Sequence, residues 1–566
     1  MRSLGSEGTF DVIIIGAGLS GITSLYRIQK LFPSWRVRVL EAADDVGGTW
    51  YYNRYPGARF DSESVSYGLS CDRDFLADWN WSEEFASQSE ALAYTGAFCN
   101  KNDTRRYVSF NTKVTSADWR ADEERWLLRD DGDRTYACRF ILTCVGILSA
   151  PQLPNIPGIK NFRGSAYHTS QWPHDFDMAR DFGGKRIGVI GTGSTGIQTI
   201  TEMSREPSVR SLTVFQRTAN WCAPLRNGAI SEERMTEYKG RYDEILAACG
   251  RSPAGFMHEP DPRCTFDVDE SERLALWEEL YAAPGFKKCY GTFKDAYTDA
   301  DANRLYSDWM AGKMRSRVND PVVAEKLVPK NHGFGTKRVP LDSGYLEAYN
   351  KPNVHLVDLK DSPIEGVTAD GVSMADGGFH ELDVLVFATG FDAITGALSA
   401  IDWHGMDGRP LFEKPDGKKD DDKRGTAEDD LPAIWAGNET STFLGIMAPS
   451  LPNVLMVLGP HQPYGNVPRS IEKSVDVIMD LLQFIDRGGH TRVEPRAQAV
   501  DEWHEHVVEA GQGQLSSLVA SWSTGVNKNV KGKSVPGIGK YPSGNQGWVD
   551  KCRENAEAGW PGLMFG

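Results

Sequence analysis

The sequence predicts an α/β protein with two Rossmann-like dinucleotide-binding domains and a helical insertion in the second. Three observations carry that prediction. A glycine loop, Gly16-Ala-Gly18-Leu-Ser-Gly21, follows the buried-strand pattern DVIII (11–15). A second loop, Gly191 to Gly196, follows KRIGVIG. A charged, aromatic stretch with helical segments such as ERLALWEELYAA runs from 221 to 330. Strand, glycine loop and helix in that order let a chain turn tightly and seat a pyrophosphate on a helix N-terminus.

In the first unit, ITSLYRIQKLF has the apolar spacing of a helix. The next strand, WRVRVLE, ends at Glu41, 20 residues beyond Gly21, where a carboxylate accepts from a ribose hydroxyl. In the second unit Gly191, Thr192, Gly193, Ser194, Thr195 and Gly196 form the loop, and IQTITEMSRE, which holds Gln198, begins a helix. SLTVFQR then ends in Gln216-Arg217-Thr218, where the first unit has its acid. Arginine there removes an acceptor for a free ribose hydroxyl and supplies a partner for a 2′-phosphate. The two units together predict FAD at the first and NADP(H) at the second.

Buried strands ending in small-residue turns, RFILTCVGILS (139–149) and DVLVFATGFD (383–392), are expected where the chain crosses between units. The organisation is then discontinuous: 1–150 and 389–566 for the FAD-binding domain, 151–220 and 331–388 for the NADP-binding domain, and 221–330 for the insertion. GKKDDDKRGTAEDD (417–430) reads as a solvated loop.

Composition sets the limits. A chain of 566 residues suggests two to four domains. Its 40% hydrophobic and 25% charged content is that of an ordinary globular protein. The net charge of −16 argues against nucleic acid or an anionic membrane as the main partner. No uncharged apolar run approaches the roughly 20 residues of a membrane span. The N-terminal apolar run leads straight into a glycine loop, so it reads as a strand and not a secretion signal. Nine scattered cysteines without a CxxC fit a reducing, cytoplasmic setting and offer neither a dithiol centre nor a thiolate zinc site. No metal is expected from the histidines either, because His504 and His506 stand two apart on a helix and diverge.

Two longer motifs go further. FRGSAYHTSQWP (162–173) resembles the type I Baeyer–Villiger fingerprint FxGxxxHxxxWP at Phe162, Gly164, His168, Trp172 and Pro173. GGTWYYNRYPGARFD (47–61) resembles the same family's GGxWxxxxYPGxxxD at Gly47, Gly48, Trp50, Tyr55, Pro56, Gly57 and Asp61. Over nearly its whole length the chain is thereby similar to the type I (class B) Baeyer–Villiger flavin monooxygenases. The resemblance implies NADPH- and O₂-dependent oxidation of ketones to esters or lactones through a flavin peroxyanion. Attack on the carbonyl makes a second anion, so fixed positive charge is needed in the site.

GTKRVP (335–340) looks like the family's GTKRxP stretch. By that match Arg338 is the catalytic guanidinium, cationic at any working pH, and Lys337 joins Arg217 at the NADP 2′-phosphate. Asp61 is implied as its catalytic support. The FAD site is expected to use Gly16, Gly18, Ser20, Gly21, Glu41, Gly48, Thr49, Trp50, Asp61 and Tyr67. LVASWSTGVNKNVKGK resembles the family's mobile C-terminal loop, near 515–535, with an extra Lys-Asn where Ile-Pro is usual; Trp522 would fold over the nicotinamide nucleotide. GPHQPYGNVPRS (459–470) places His461 and Tyr464 toward the substrate end. Gly164 is expected to permit a tight turn, and His168 and Trp172 to pin the linker between nucleotide domains. Two competing readings use the same fold: an N- or S-oxygenating flavin monooxygenase, for which Arg338 is unnecessary, and a redox-silent NADP-binding sensor.

Overall fold

The structure, a computed structural model, describes residues 6–413, 432–437, 439–527, 529–530, 532–534 and 536–566. The acidic segment 417–430, expected as a solvated loop, lies outside the described residues.

The first apolar run forms the strand Ser6–Ile15, starting earlier than its hydrophobic pattern. It pairs in parallel with Val37–Leu40 on one side and Thr135–Thr143 on the other. Val108–Ser109 extends the sheet beyond Val37–Leu40. On the opposite flank, Arg125–Asp130 and Val114–Arg120 add antiparallel strands. Two late strands return to this sheet: Asp402–His404 pairs with Val114–Arg120, and Val454–Met456 pairs with Thr135–Thr143. The first sheet is therefore assembled from both ends of the chain.

The second sheet is wholly parallel, in the order Val354–Asp358, Ser211–Gln216, Arg186–Ile190, Val384–Phe387 and Ser165–His168. Its three central strands, Ser211–Gln216, Arg186–Ile190 and Val384–Phe387, are buried runs because both their faces are covered, while the two edge strands are partly exposed. Val189, Val214 and Val386 have no exposed surface.

The two sheets repeat one local design. In the first, the Gly16 N–H donates to Leu40 O at 2.8 Å and Cys144 N–H to Ile15 O at 2.9 Å. In the second, Gly191 N–H donates to Phe215 O at 3.2 Å and Ala388 N–H to Ile190 O at 3.0 Å. Gly16 (φ +103°) and Gly191 (φ +112°) occupy the left-handed half of backbone space. A Cβ on either would lie 2.5 Å from Cys144 O or 2.4 Å from Ala388 O. Only glycine fits both constraints. The helices Leu19–Leu31 and Ser194–Arg205 start directly after these turns.

The two crossings run side by side. Asp392 N–H donates to Ala150 O and Ile394 N–H to Ile147 O, both at 2.8 Å, while Gln152 N–H donates to Gly390 O at 3.0 Å.

Six helices lie between residues 232 and 327. Tyr238, Tyr242 and Ile245, from the first two, join the core of the first sheet. Trp277, Tyr306 and Leu327, from later ones, join the core beneath the second. This region thus packs on both halves, which fixes one wall of the cleft between them. Among the described residues no helix is long and apolar enough to cross a membrane.

Candidate active site

A cleft of about 1240 Å³ is lined by residues from the first glycine loop, the 47–67 segment, the helical region and the C-terminal third. Gly16, Gly18, Ser20, Glu41, Gly48, Thr49, Trp50, Asp61, Tyr67, Lys337, Arg338 and Trp522 all line it. Gly21 does not. It sits behind the loop, where a Cβ would come within 1.9 Å of Gly16 O.

The helix Leu19–Leu31 begins at Gly18 without a side-chain cap, so its first N–H groups remain available to an anion. Glu41 is buried, and its carboxylate accepts from Ala17 N–H at 2.6 Å and Ala43 N–H at 2.8 Å. Burial raises its pKa, and those backbone donors partly counter the rise. Glu41 therefore braces the glycine loop besides facing the cleft, and a carboxylate's further lone pairs leave room for ribose hydroxyls. Farther along, Trp50 Nε1 donates to the Tyr67 hydroxyl at 3.0 Å, and Phe60 stacks on Tyr67 with centroids 4.1 Å apart. This aromatic floor lies directly before Asp61. Its donors and its length suit a flavin dinucleotide.

Asp61 is 2% exposed. Its carboxylate accepts from Arg338 Nη2 at 2.8 Å, from Leu341 N–H at 3.2 Å and from Gln198 Nε2 at 3.4 Å. It does not cap the following helix Ser64–Tyr67, whose N-cap residue is Glu63. Arg338 lies over the Phe286 ring, 5.3 Å from its centroid, with 43% of its side chain open to the cleft. Burial alone would lower its pKa, but the Asp61 carboxylate outweighs that and the net shift is upward. Arg338 is therefore a fixed guanidinium, with one face tied to a carboxylate and the other open to the cleft.

The second loop and its neighbours stand apart from this cleft lining. The helix Ser194–Arg205 also starts uncapped, at Gly193, and a Cβ there would meet nothing within 4 Å. Open space above an uncapped helix end suits a dinucleotide pyrophosphate. Ser194, Thr195 and Gly196 form its first turn, and a Cβ on Gly196 would strike Gly191 O at 2.3 Å. Thr192 Oγ1 donates to Thr218 O at 3.0 Å, tying the loop to the end of the strand Ser211–Gln216. Arg217 follows that strand with an exposed side chain. Gln198 faces the other half of the molecule. Its amide accepts from Tyr55 Oη at 2.7 Å and donates to Arg59 O at 3.1 Å. Gly57 (φ +84°) abuts the same helix, where a Cβ would lie 2.8 Å from Gln198 O. The 47–61 motif thus joins the two glycine-loop units to each other.

The fingerprint residues sit at the crossing. His168 is 5% exposed; its Nδ1 accepts from Ser170 N–H at 3.2 Å, so Nε2 carries the proton shared with Gly390 O at 3.2 Å. Burial lowers its pKa despite the Gly390 bond, keeping the ring neutral. Trp172 is buried beside Tyr167, with centroids 5.0 Å apart, and Pro173 follows it. Phe162 packs on the core of the second sheet. The role expected for Gly164 needs correcting. Its φ is not positive; a Cβ there would lie 2.4 Å from Asp383 O and 2.7 Å from the Phe162 ring, so close backbone approach and not a turn demands glycine.

Contrary to the sequence prediction, His461 does not lie toward the substrate end. It is 1% exposed, bonded through Nδ1 to Thr442 Oγ1 at 2.9 Å and through Nε2 to Thr440 Oγ1 at 3.2 Å, and it does not line the cleft. Tyr464 does, with its hydroxyl donating to Gly459 O at 2.8 Å. The C-terminal loop is docked: Asn527 Nδ2 donates to Phe391 O at 3.0 Å, and buried Lys533 pairs with Asp392 and donates to Thr395 Oγ1 at 2.7 Å. Trp522 opens a short 3₁₀ turn on the cleft wall.

Several cleft residues escaped the sequence reading. Phe286, Cys289 and Tyr290 form the wall behind Arg338, and His258 bonds Glu63 Oε1 at 2.6 Å. The first group comes from a stretch whose composition is that of ordinary helix packing. The His258–Glu63 pair spans 195 residues without a local signal.

Residues 10–225 match the family model described as flavin-binding monooxygenase-like. The 2-oxo-Δ³-4,5,5-trimethylcyclopentenylacetyl-CoA monooxygenase of Pseudomonas putida is 37% identical, over 100% of this chain and 99% of its own. The methyl acetate-forming acetone monooxygenase of Gordonia sp. is 35% identical, over 99% and 100%. A crystal structure of OTEMO with FAD and NADP superposes with a TM-score of 0.89 at 37% identity, covering 98% of this chain and 99% of that one. The chain belongs to the flavin-binding Baeyer–Villiger monooxygenase family.

Proposed function

We propose that this protein is an FAD-containing, NADPH-dependent monooxygenase that converts ketones to esters or lactones with O₂. The observation that carries the reading is the buried Asp61 carboxylate holding Arg338 at the wall of a cleft that also contains the uncapped first glycine loop. FAD, reduced by NADPH, supplies the activated oxygen when bound.

The chain's own residues do the rest. Gly16, Gly18, Ser20 and the helix behind them hold the FAD pyrophosphate, with Gly21 allowing the close turn and Glu41 taking the ribose. Gly48, Thr49, Trp50 and Tyr67 shape the flavin ring's pocket. The loop Gly191–Gly196, with Gln198, Thr218, Arg217 and Lys337, holds NADP, and Trp522 shields it. Arg338 offers positive charge to anionic oxygen both before and after attack on the carbonyl, and Asp61 fixes its direction. Preorganised charge of this kind stabilises a transition state without the cost of reorienting water. His168 and Trp172 keep the crossing rigid and exchange no proton with substrate. The FAD-binding parts are 1–150 and 389–566, the NADP-binding parts 151–220 and 331–388, with the insertion at 221–330. Nine free cysteines support a cytoplasmic setting.

The test is to incubate purified protein with NADPH, O₂ and linear, small-ring, large-ring and steroid ketones, beside a panel of amines and thioethers. Esters or lactones carrying one added oxygen next to the former carbonyl are expected. Formation of N-oxides or sulfoxides alone would overturn the reading.

A further inference from the structure

The cleft is cationic in an acidic protein. Its wall carries Arg59, Lys113, Lys294, Lys337, Arg338 and Lys540 against only two carboxylates, Glu41 and Asp61, while the chain as a whole has a net charge of −16. Most of that positive charge is already accounted for. Arg59 pairs with Glu83 at 3.0 Å and Arg338 with Asp61 at 2.8 Å. Lys337 is assigned to the NADP 2′-phosphate in the reading above. Lys113 and Lys294 are exposed, where water solvates an ammonium well.

Lys540 is different. It is partly buried on the cleft wall, and among the described residues no hydrogen bond or ion pair reaches its side chain. Burial lowers its pKa, and no neighbouring charge opposes that. Its backbone is also fixed. Gly539 O accepts from His461 N–H at 3.2 Å, and Tyr541 N–H donates to Gln462 O at 3.0 Å. A Cβ on Gly539 would lie 2.4 Å from Ile394 Cδ1 and 2.8 Å from Ser523 O, so the segment has no room to slide. The same wall includes Pro463, Tyr464, Trp522 and Tyr541. A partly buried ammonium with no partner loses hydration that nothing replaces, and a ligand anion would replace it.

We propose that Lys540 is a substrate-binding residue for ketones that carry a carboxylate on a side chain, so that an oxo acid is the preferred substrate class. This rests on the ketone-oxidising reading above. A carboxylate is favoured over a phosphate because a single ammonium without an arginine fork suits a single carboxylate. The apolar and aromatic neighbours would enclose the ketone's hydrocarbon while the ammonium sets which end enters first.

The test compares 2-oxocyclohexaneacetate with its methyl ester, using the FAD-loaded wild-type enzyme and the Lys540→Met and Lys540→Arg variants with NADPH. The wild type is expected to prefer the acid in kcat/KM. Lys540→Met should lose about 30-fold or more on the acid, mostly through KM, with the ester changed less than about threefold. Lys540→Arg should restore much of the acid's advantage, and raised salt should weaken it in the wild type. Bound flavin absorbance checks that each variant is folded. Oxidation of the ester with no preference for the acid, or an equal loss on both substrates in Lys540→Met, overturns the subsite while leaving ketone oxidation standing. Failure of the wild type to oxidise either compound or any ketone of the wider panel sinks both readings together.

Discussion

The proposed chemistry turns on one side chain, Arg338. Its guanidinium is held by Asp61 from behind and by the Phe286 ring from the side, leaving its remaining donors toward the cleft. Arg338→Ala should keep FAD and still consume NADPH in flavin reduction, yet lose ester formation by about 100- to 1000-fold; product chromatography alongside anaerobic flavin bleaching checks both halves. Arg217 is the matching test on the nucleotide side. With an exposed side chain at the end of the strand Ser211–Gln216, Arg217→Ala should raise KM for NADPH about tenfold or more while that for NADH stays put. Equal shifts in the two constants would remove it from the 2′-phosphate. These residues were legible because each stands at a fixed offset from a glycine loop or inside a long motif. His461 was not legible: it follows Gly459-Pro460 in a stretch that looks like a pocket turn, and its backbone (φ +66°) turns the ring inward between Thr440 and Thr442. Lys540 was invisible for a different reason, since a lysine among glycines and prolines reads as solvated loop.

At the scale of elements, the strands and helices of both nucleotide units follow their hydrophobic patterns, since parallel strands buried on both faces leave continuous apolar runs in the sequence. The connections are harder to read. Nothing local announces that the 47–61 segment packs on the helix Ser194–Arg205, or that the loop near 515–535 fastens to the second crossing. That fastening is specific: Lys533 is 6% exposed, meets Asp392 and Thr395, and Asn527 holds Phe391. Lys533→Ala leaves Asp392 without its cation and should loosen the docking by about 2 kcal/mol. The loop carries Trp522 to the cleft wall, and on the proposed reading its docking there keeps water from the ketone. The expected outcome is a larger share of NADPH oxidation ending in hydrogen peroxide, with faster proteolysis confined to 515–535. An unchanged peroxide yield would separate the docking from the chemistry.

For the whole molecule, the first sheet is closed by late-arriving segments, and titratable side chains report on that closure at both ends of the pH scale. On the alkaline side His404 joins the returning strand Asp402–His404 to Asp118 at 2.7 Å, and its bonds to Asp118 and Asp402 raise its pKa to about 10. A group raised in the folded state stabilises fully below its unfolded value, near 6.5, and that contribution fades as pH climbs toward about 10. With 39% of the side chain exposed, solvent screens much of the effect. The acid side is steeper because His461 has no such exposure. Burial, then the neighbouring His504 ring with centroids 6.0 Å apart, lower its pKa to about 4 against one helpful bond to Ile538 backbone. The two threonine hydroxyls facing it can satisfy a neutral ring, but neither carries charge to balance an imidazolium. The unfolded chain therefore binds the proton first, and stability falls as pH drops from about 6.5 toward 4, by up to about 3 kcal/mol for a shift of this size. His461→Asn tolerates the left-handed backbone and keeps one polar contact without a titrating ring. Its melting temperature should start lower than wild type at pH 7 and fall less between pH 6.5 and 4.5, so that the two curves converge. Parallel curves over that interval would mean that the acid sensitivity of the fold lies elsewhere.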